Sequence, residues 1–435
     1  MSRRLSFLYL TLMVAAFMVG LGNVWKFPSM IIKYGLGGLA VYIASVVVLL
    51  GMLAAAVETT KKKGYEVTEY FSREYGKPAF ALLFLVFDVL LIGYYSIVGG
   101  WTISSIILPE IPHNMAWNMG MAFLFIFIIL IILVKGKRRT IDFMVVSFVL
   151  FVIATSVLVW YMYQSVGNAA LSETMRDILT WRGLSLKMAL DMASQAAYSL
   201  GVGMGFYLLL GAILPRKSSG TGIVIAGAVL DTLMALGGLM LIATLITAEP
   251  STTMNSSDLL FEDLPLLIRE RLGLPALYAF NVSLFLAAMT SMLPIGEVTG
   301  RITAELLDIH RGDGVIISLT IAASIGMVVS LLTWLGFNPI EILDGAVSTF
   351  ILFGGIIEAY AAAKGRSYIP GWLRAWAWVG IITAAILGLY AFVSWSSPIS
   401  PILLVAVALS ALALNGRLER ELQLRRKRLP REYHR

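Results

Sequence analysis

The sequence predicts an all-α integral membrane protein of about twelve transmembrane helices, and three observations predict it. The first is composition: 59% of the 435 residues are hydrophobic and 14% charged, with a mean hydropathy of +0.85. A water-soluble domain is about 45–50% apolar and about 25% charged, so lipid must be the solvent for most of this chain. The second is segmentation into apolar runs of the ~20 residues a helix needs to cross a bilayer. The third is a set of short basic loops that alternate with loops poor in charge.

The apolar runs begin near Leu5, Gly38, Phe80, Ala116, Ile141 and Lys187, then near Gly220, Pro275, Val315, Pro339, Leu373 and Pro398. The last ends near Leu414 and is short. Lys61, Lys62, Lys63, Arg73 and Lys77 follow the second run; Lys135, Lys137, Arg138 and Arg139 follow the fourth. Arg216 and Lys217 follow the sixth, Arg311 the eighth, and Lys364, Arg366 and Arg374 the tenth. Basic loops stay on the cytoplasmic side of a membrane. The alternation predicts a multi-pass plasma-membrane protein with both termini cytoplasmic and an even number of spans. The longest opposite loop, Thr247–Gly273, holds an apolar stretch, Leu264–Ile268, that is expected to form a short helical lid.

Several function classes are excluded. Without cysteine there is no disulfide framework, thiolate zinc site or iron–sulfur cluster. The three histidines are too scattered for a metal site. The net charge of +7 resides in loops between spans, so it orients the chain and does not bind nucleic acid. No HExxH or GxSxG motif is present, and no enzyme is predicted. The first run lacks a small-residue cleavage site, so no cleavable leader is expected.

Two spans read poorly as plain helices. The first contains Gly20, Gly22, Asn23, Lys26 and Pro28 within one half of a span. The sixth carries Gly201, Gly203 and Gly205 at alternate positions, each costing about 1 kcal/mol in a helix interior. Small residues also serve close helix packing. A pair of interrupted helices in the first and sixth spans, however, points to unwound backbone lining a binding site. The freed carbonyls are then cation ligands, and half-helix N-termini face an anionic group. Asp231, alone in the seventh span, is functional by default, because a carboxylate within a bilayer is costly unless it meets a partner.

At Gly20 through Pro28 the sequence resembles the neurotransmitter:sodium symporter family, in its bacterial and archaeal amino-acid branch. Support comes from Tyr94-Tyr95 with Trp101, from Gln195 through Gly205, from Asp231-Thr232-Leu233, and from Ala287 through Ser291. The resemblance implies two inverted five-helix repeats (residues 1–165 and 187–363), broken helices 1 and 6, peripheral helices over 372–415 and a basic cytoplasmic tail over 416–435. It implies a sodium-coupled symporter for neutral, hydrophobic or aromatic amino acids, working by alternating access as a monomer or homodimer. A proton-coupled transporter of the same fold, with Asp231, Glu58 or Glu297 as the proton carrier, and a non-transporting amino-acid sensor are the alternatives.

The same resemblance assigns a first sodium site to the Met18 carbonyl, Asn23, Ser199 and Asp231. A second falls to the carbonyls of Ala16, Val19 and Ala287 with the Thr290 and Ser291 hydroxyls. The substrate pocket would be lined by Leu91, Tyr95, Tyr198, Gly201, Met204, Ser291 and Ile295. Met18, Leu21, Gly22 and Ser199 would meet the substrate's backbone groups. Gly201 is expected to leave room for a large side chain. Chloride is not expected, because Asp231 supplies a carboxylate there and Tyr42 is offset by one residue from the family's anion-binding tyrosine. Lys26 and Asp344 would form the outer gate, and Glu305 with Arg4 or Arg3 the inner one. Glu58 is expected to support free backbone amides of the unwound sixth span.

Overall fold

The computed structural model describes residues 6–24, 26–108, 115–248, 263–337, 339–365, 369–394 and 399–428. These form seventeen helices and no strand. The chain enters its first helix, α1 (Phe7–Met18), through a cap in which Ser6 Oγ accepts the Tyr9 N–H at 3.2 Å. The helix stops at Val19, which is extended, and resumes as α2 (Leu21–Val24).

The next helix, α3 (Lys26–Lys63), holds a turn at Gly35 with φ 66° and ψ −155°. Residues 26–34 therefore complete the first span and 36–63 make the second. A Cβ at Gly35 would sit 2.1 Å from the Thr180 carbonyl, so the turn needs glycine for both conformation and space. Arg182 fastens it by donating to the carbonyls of Ile32 (2.6 Å) and Lys33 (3.1 Å).

The remaining spans follow in the expected order. They are α5 (Ala79–Ile107), α6 (Met115–Val134) and α7 (Lys137–Val166), then the broken pair α9 (Leu186–Ser199) and α10 (Phe206–Ile213). After these come α11 (Gly220–Ala248), α13 (Leu274–Leu307), α14 (Arg311–Trp334), α15 (Pro339–Lys364), α16 (Gly371–Val393) and α17 (Ile399–Arg428). Among the described residues, ten helices are long and apolar enough to cross a membrane, not counting the two broken spans. The chain is a multi-pass helical membrane protein.

Three short helices lie between spans: α4 (Val67–Glu74), α8 (Asn168–Ile178) and α12 (Leu264–Leu272). Only the last is anticipated by the sequence reading. It buries Leu264, Leu267 and Ile268 against its neighbours and packs on α13, α7 and α11; the preceding residues 249–262 lie outside the described ones.

The last helix runs beyond the apolar stretch that ends near Leu414 and continues unbroken to Arg428. Its distal sequence is rich in Leu, Glu, Arg and Gln, strong helix formers that need no bilayer to stay helical.

The centre is built from α3, α5, α13 and α15, while α6 and α17 are the least enclosed spans. The first broken span packs on α11, α7 and α13, and the sixth against α3 and α15. Both interruptions thereby face inward rather than toward lipid, as unpaired backbone must.

Candidate binding site between the two broken helices

A cavity of about 80 Å³ lies where the breaks meet. Span one contributes Phe17, Met18, Gly20, Leu21, Gly22, Asn23 and Lys26; span six contributes Gln195, Tyr198, Ser199, Gly201 and Met204. Leu91 and Tyr95 enter from α5, and Ala288, Ser291, Met292 and Ile295 from α13. All eleven substrate-contact residues named from the sequence thus line one cavity. Phe17, Gln195, Ala288 and Met292 also line it and were not anticipated.

Beside the cavity is a buried polar knot. Asn23 Nδ2 donates to Asp231 Oδ1 at 2.6 Å and to the Asp231 carbonyl at 3.2 Å. The Ser199 hydroxyl donates to Asp231 Oδ2 at 2.7 Å and lies 3.4 Å from Asn23 Oδ1. Tyr42 reaches in as well, its hydroxyl donating to Ser199 Oγ at 3.1 Å. The one-residue offset read from sequence therefore does not keep Tyr42 away from the knot. Asp231 is fully buried, and the Asn23 and Ser199 groups that donate to it are neutral.

A second oxygen cluster joins α1 to α13. Ser291 Oγ lies 3.3 Å from the Val19 carbonyl and 3.2 Å from that of Ala287; Thr290 Oγ1 lies 3.1 Å from the same Ala287 carbonyl. Ala16, Val19, Ala287 and Thr290 are buried. The close approach depends on Gly20, where a Cβ would sit 2.8 Å from Ser291 Oγ.

Two expectations about span six need correction. Glu58 does not reach its free amides. It accepts the Thr221 N–H at 3.0 Å, at the start of α11, and pairs with Lys61 at 2.5 Å. Glu358 on α15 takes that role instead, accepting the Gly205 N–H. Nor does Gly201 open free space: a Cβ there would lie 2.4 Å from the Phe17 ring.

At the cavity mouth Lys26 Nζ stands 4.8 Å from the centroid of the Tyr198 ring, a cation–π distance. Tyr198 also meets the Ser348 hydroxyl at 2.5 Å. Asp344 lies on α15, with its side chain outside the described ones, and Arg3 and Arg4 lie outside the described residues altogether. On the face bearing the basic loops, Glu305 neighbours Thr68, Glu66 and Arg301. Arg301 bridges Glu66 (2.7 Å) and Glu297 (2.8 Å), and Glu297 is also held by Arg311. Glu297, expected as a candidate proton carrier, is thus locked between two guanidinium groups.

The sequence matches no protein-family model and none of the curated proteins. Among solved structures, the crystal structure of MhsT in complex with L-phenylalanine aligns with a TM-score of 0.76 over 89% of this chain and 98% of that one, at 22% identity. At this identity the likeness speaks to architecture. The chain has the fold of MhsT, a multi-pass helical one, with helices broken where the sequence motifs imply.

Proposed function

We propose that the chain is a sodium-coupled symporter for neutral hydrophobic amino acids, working by alternating access. The observation that carries this reading is the knot of Asn23, Ser199 and Asp231, buried beside a cavity between two helix breaks. Sodium, a hard cation, takes oxygen ligands. The knot offers an amide oxygen, a hydroxyl and a carboxylate, next to the carbonyl-rich end of α1. A carboxylate inside a bilayer needs a partner, and its neighbours here are neutral. The second oxygen cluster, around Val19, Ala287, Thr290 and Ser291, is the second sodium site. The Asp231 carboxylate makes chloride unnecessary.

The amino acid lies across both breaks. Its carboxylate meets the amides of Leu21 and Gly22 and the Tyr95 hydroxyl, on the positive end of a half-helix. Its amine meets carbonyls of Met18 and the end of α9, and its side chain lies among Leu91, Met204 and Ile295. Lys26, over Tyr198, closes the outer side with Asp344, and Glu305 belongs to the inner closure. Sodium and substrate favour the outward-closed state only through their higher affinity for it. The membrane potential adds about 2.3 kcal/mol per charge per 100 mV. Residues 1–165 and 187–363 are the two inverted repeats that rock, with both termini in the cytoplasm of a plasma-membrane protein.

The test is uptake of a labelled neutral amino-acid mixture into proteoliposomes under an inward sodium gradient, or with potassium in its place. Sodium-dependent accumulation that falls in Asp231→Ala supports the reading. Equal uptake in both salts, driven by a pH gradient, replaces sodium with protons, and binding without accumulation makes the chain a sensor.

A further inference from the structure

The side-chain end of the cavity has a wall that the family resemblance does not supply. Phe17, on the last turn of α1, faces the unwound part of span six, and its ring covers Gly201: a Cβ there would meet Cε1 and Cζ at 2.4 Å. The ring is also packed from behind. Its centroid is 4.0 Å from that of Phe206 and 5.8 Å from that of Tyr207. Tyr207 is itself fully buried and anchored by its hydroxyl to the Leu200 carbonyl. Phe17 is 4% exposed, held between Gly201 and the Phe206 and Tyr207 rings.

The space beside Gly201 is thus occupied by the protein's own aromatic ring. Met204 and Met292, the flexible side chains of the lining, adapt to a methyl group or two, but not to a ring plane that Phe17 already fills.

We infer that Phe17 sets the size limit of this subsite, so that the chain takes small and branched aliphatic amino acids and discriminates against aromatic ones. The inference rests on the transporter reading above and narrows it. It also sets the chain apart from MhsT, whose solved complex holds L-phenylalanine.

Competition against sodium-driven uptake of labelled L-leucine in proteoliposomes tests it, with unlabelled L-valine, L-leucine, L-phenylalanine and L-tryptophan as competitors. In the wild-type protein the aliphatic pair should compete at least about tenfold more tightly, a single methylene in an apolar pocket being worth about 10–200-fold. In Phe17→Leu, and more so in Phe17→Ala, the phenylalanine-to-leucine ratio should shift about tenfold toward phenylalanine. The wild-type rank order needs no variant, so a misfolded substitution leaves the test intact. Leucine uptake with equal or tighter competition by phenylalanine overturns this inference and leaves the transporter standing. Phe17 variants that fold but keep the wild-type ratio also overturn it. Absence of sodium-driven uptake of all four, each supplied labelled in turn, overturns both.

Discussion

Between Met18 and Leu21 the first span loses helix over only Val19 and Gly20, whereas the sixth is interrupted over residues 200–205. In the first break Val19 is extended, with φ −75° and ψ 110°, and its N–H still bonds to the Ala15 carbonyl at 2.8 Å. No residue there is left-handed. In the second, Gly201, Gly203 and Gly205 have φ of 63°, 72° and 69°, and α15 is pressed against the unwound chain. A Cβ on Gly203 would lie 2.1 Å from the Ile351 carbonyl and 2.6 Å from the Gly355 nitrogen. The first break is thus a local helix end that polar side chains exploit. The second is a backbone form that only glycine permits and that a neighbouring helix enforces. One should be sensitive chiefly in binding, the other in folding.

Substitutions at the glycines give the largest expected contrast. Gly203→Ala combines a left-handed alanine with a backbone collision and should cost about 3–5 kcal/mol, enough to abolish monodisperse protein in size-exclusion chromatography. Gly22→Ala, whose Cβ would lie 3.6 Å from Gln195 Nε2, should fold and melt near the wild type. If Gly203→Ala folds as well as Gly22→Ala, the distinction between the breaks is lost.

Glu358→Ala tests the prop beneath the second break. It leaves the Gly205 N–H unpaired inside the protein, a loss of about 1–3 kcal/mol that a thermal melt in detergent would record. Glu358→Gln keeps an acceptor and should recover most of it. A silent Glu358→Ala would mean that the unwound segment holds itself.

Asn23→Ala belongs to the first break and removes a donor from the buried Asp231 carboxylate, for about 1–2 kcal/mol. Its signature should be weakened stabilisation by sodium, with the fold retained. Gly20→Ala should have a smaller effect than Asn23→Ala. The added methyl displaces the Ser291 hydroxyl and its 3.3 Å contact with the Val19 carbonyl. About 1 kcal/mol there corresponds to roughly fivefold weaker sodium affinity in a titration.

Much of this was legible because a bilayer tolerates few exceptions. Glycines, an asparagine and a carboxylate in apolar runs stand out, so the two breaks and Asp231 can be read from the sequence, whereas Ser199 and the role of Asn23 enter only through the family resemblance. Other features depend on which helix reaches which, and periodicity is silent on that. Glu58 and Glu358 look alike as acidic residues near span ends, yet only Glu358 meets the unwound amides, because α15 crosses that segment closely. Tyr42 reads as out of register, and only its contact with Ser199 brings it to the site. Phe17 reads as one more apolar helix residue, and only its seat over Gly201 makes it a wall. The helices α4 and α8 were missed because neither is long enough to span and both sit among loop-like charges.

The central claim is that the two breaks together build one site for sodium and an amino acid. The most direct measurement is the melting temperature of the purified protein in detergent across a sodium titration at constant ionic strength, with potassium as the balance, with and without L-leucine. A ligand at a hundred times its dissociation constant stabilises by about 2.7 kcal/mol. The account predicts a saturable rise with sodium, a further rise with L-leucine only when sodium is present, and loss of both in Asp231→Ala. Identical melting in sodium and potassium, with or without leucine, would contradict it.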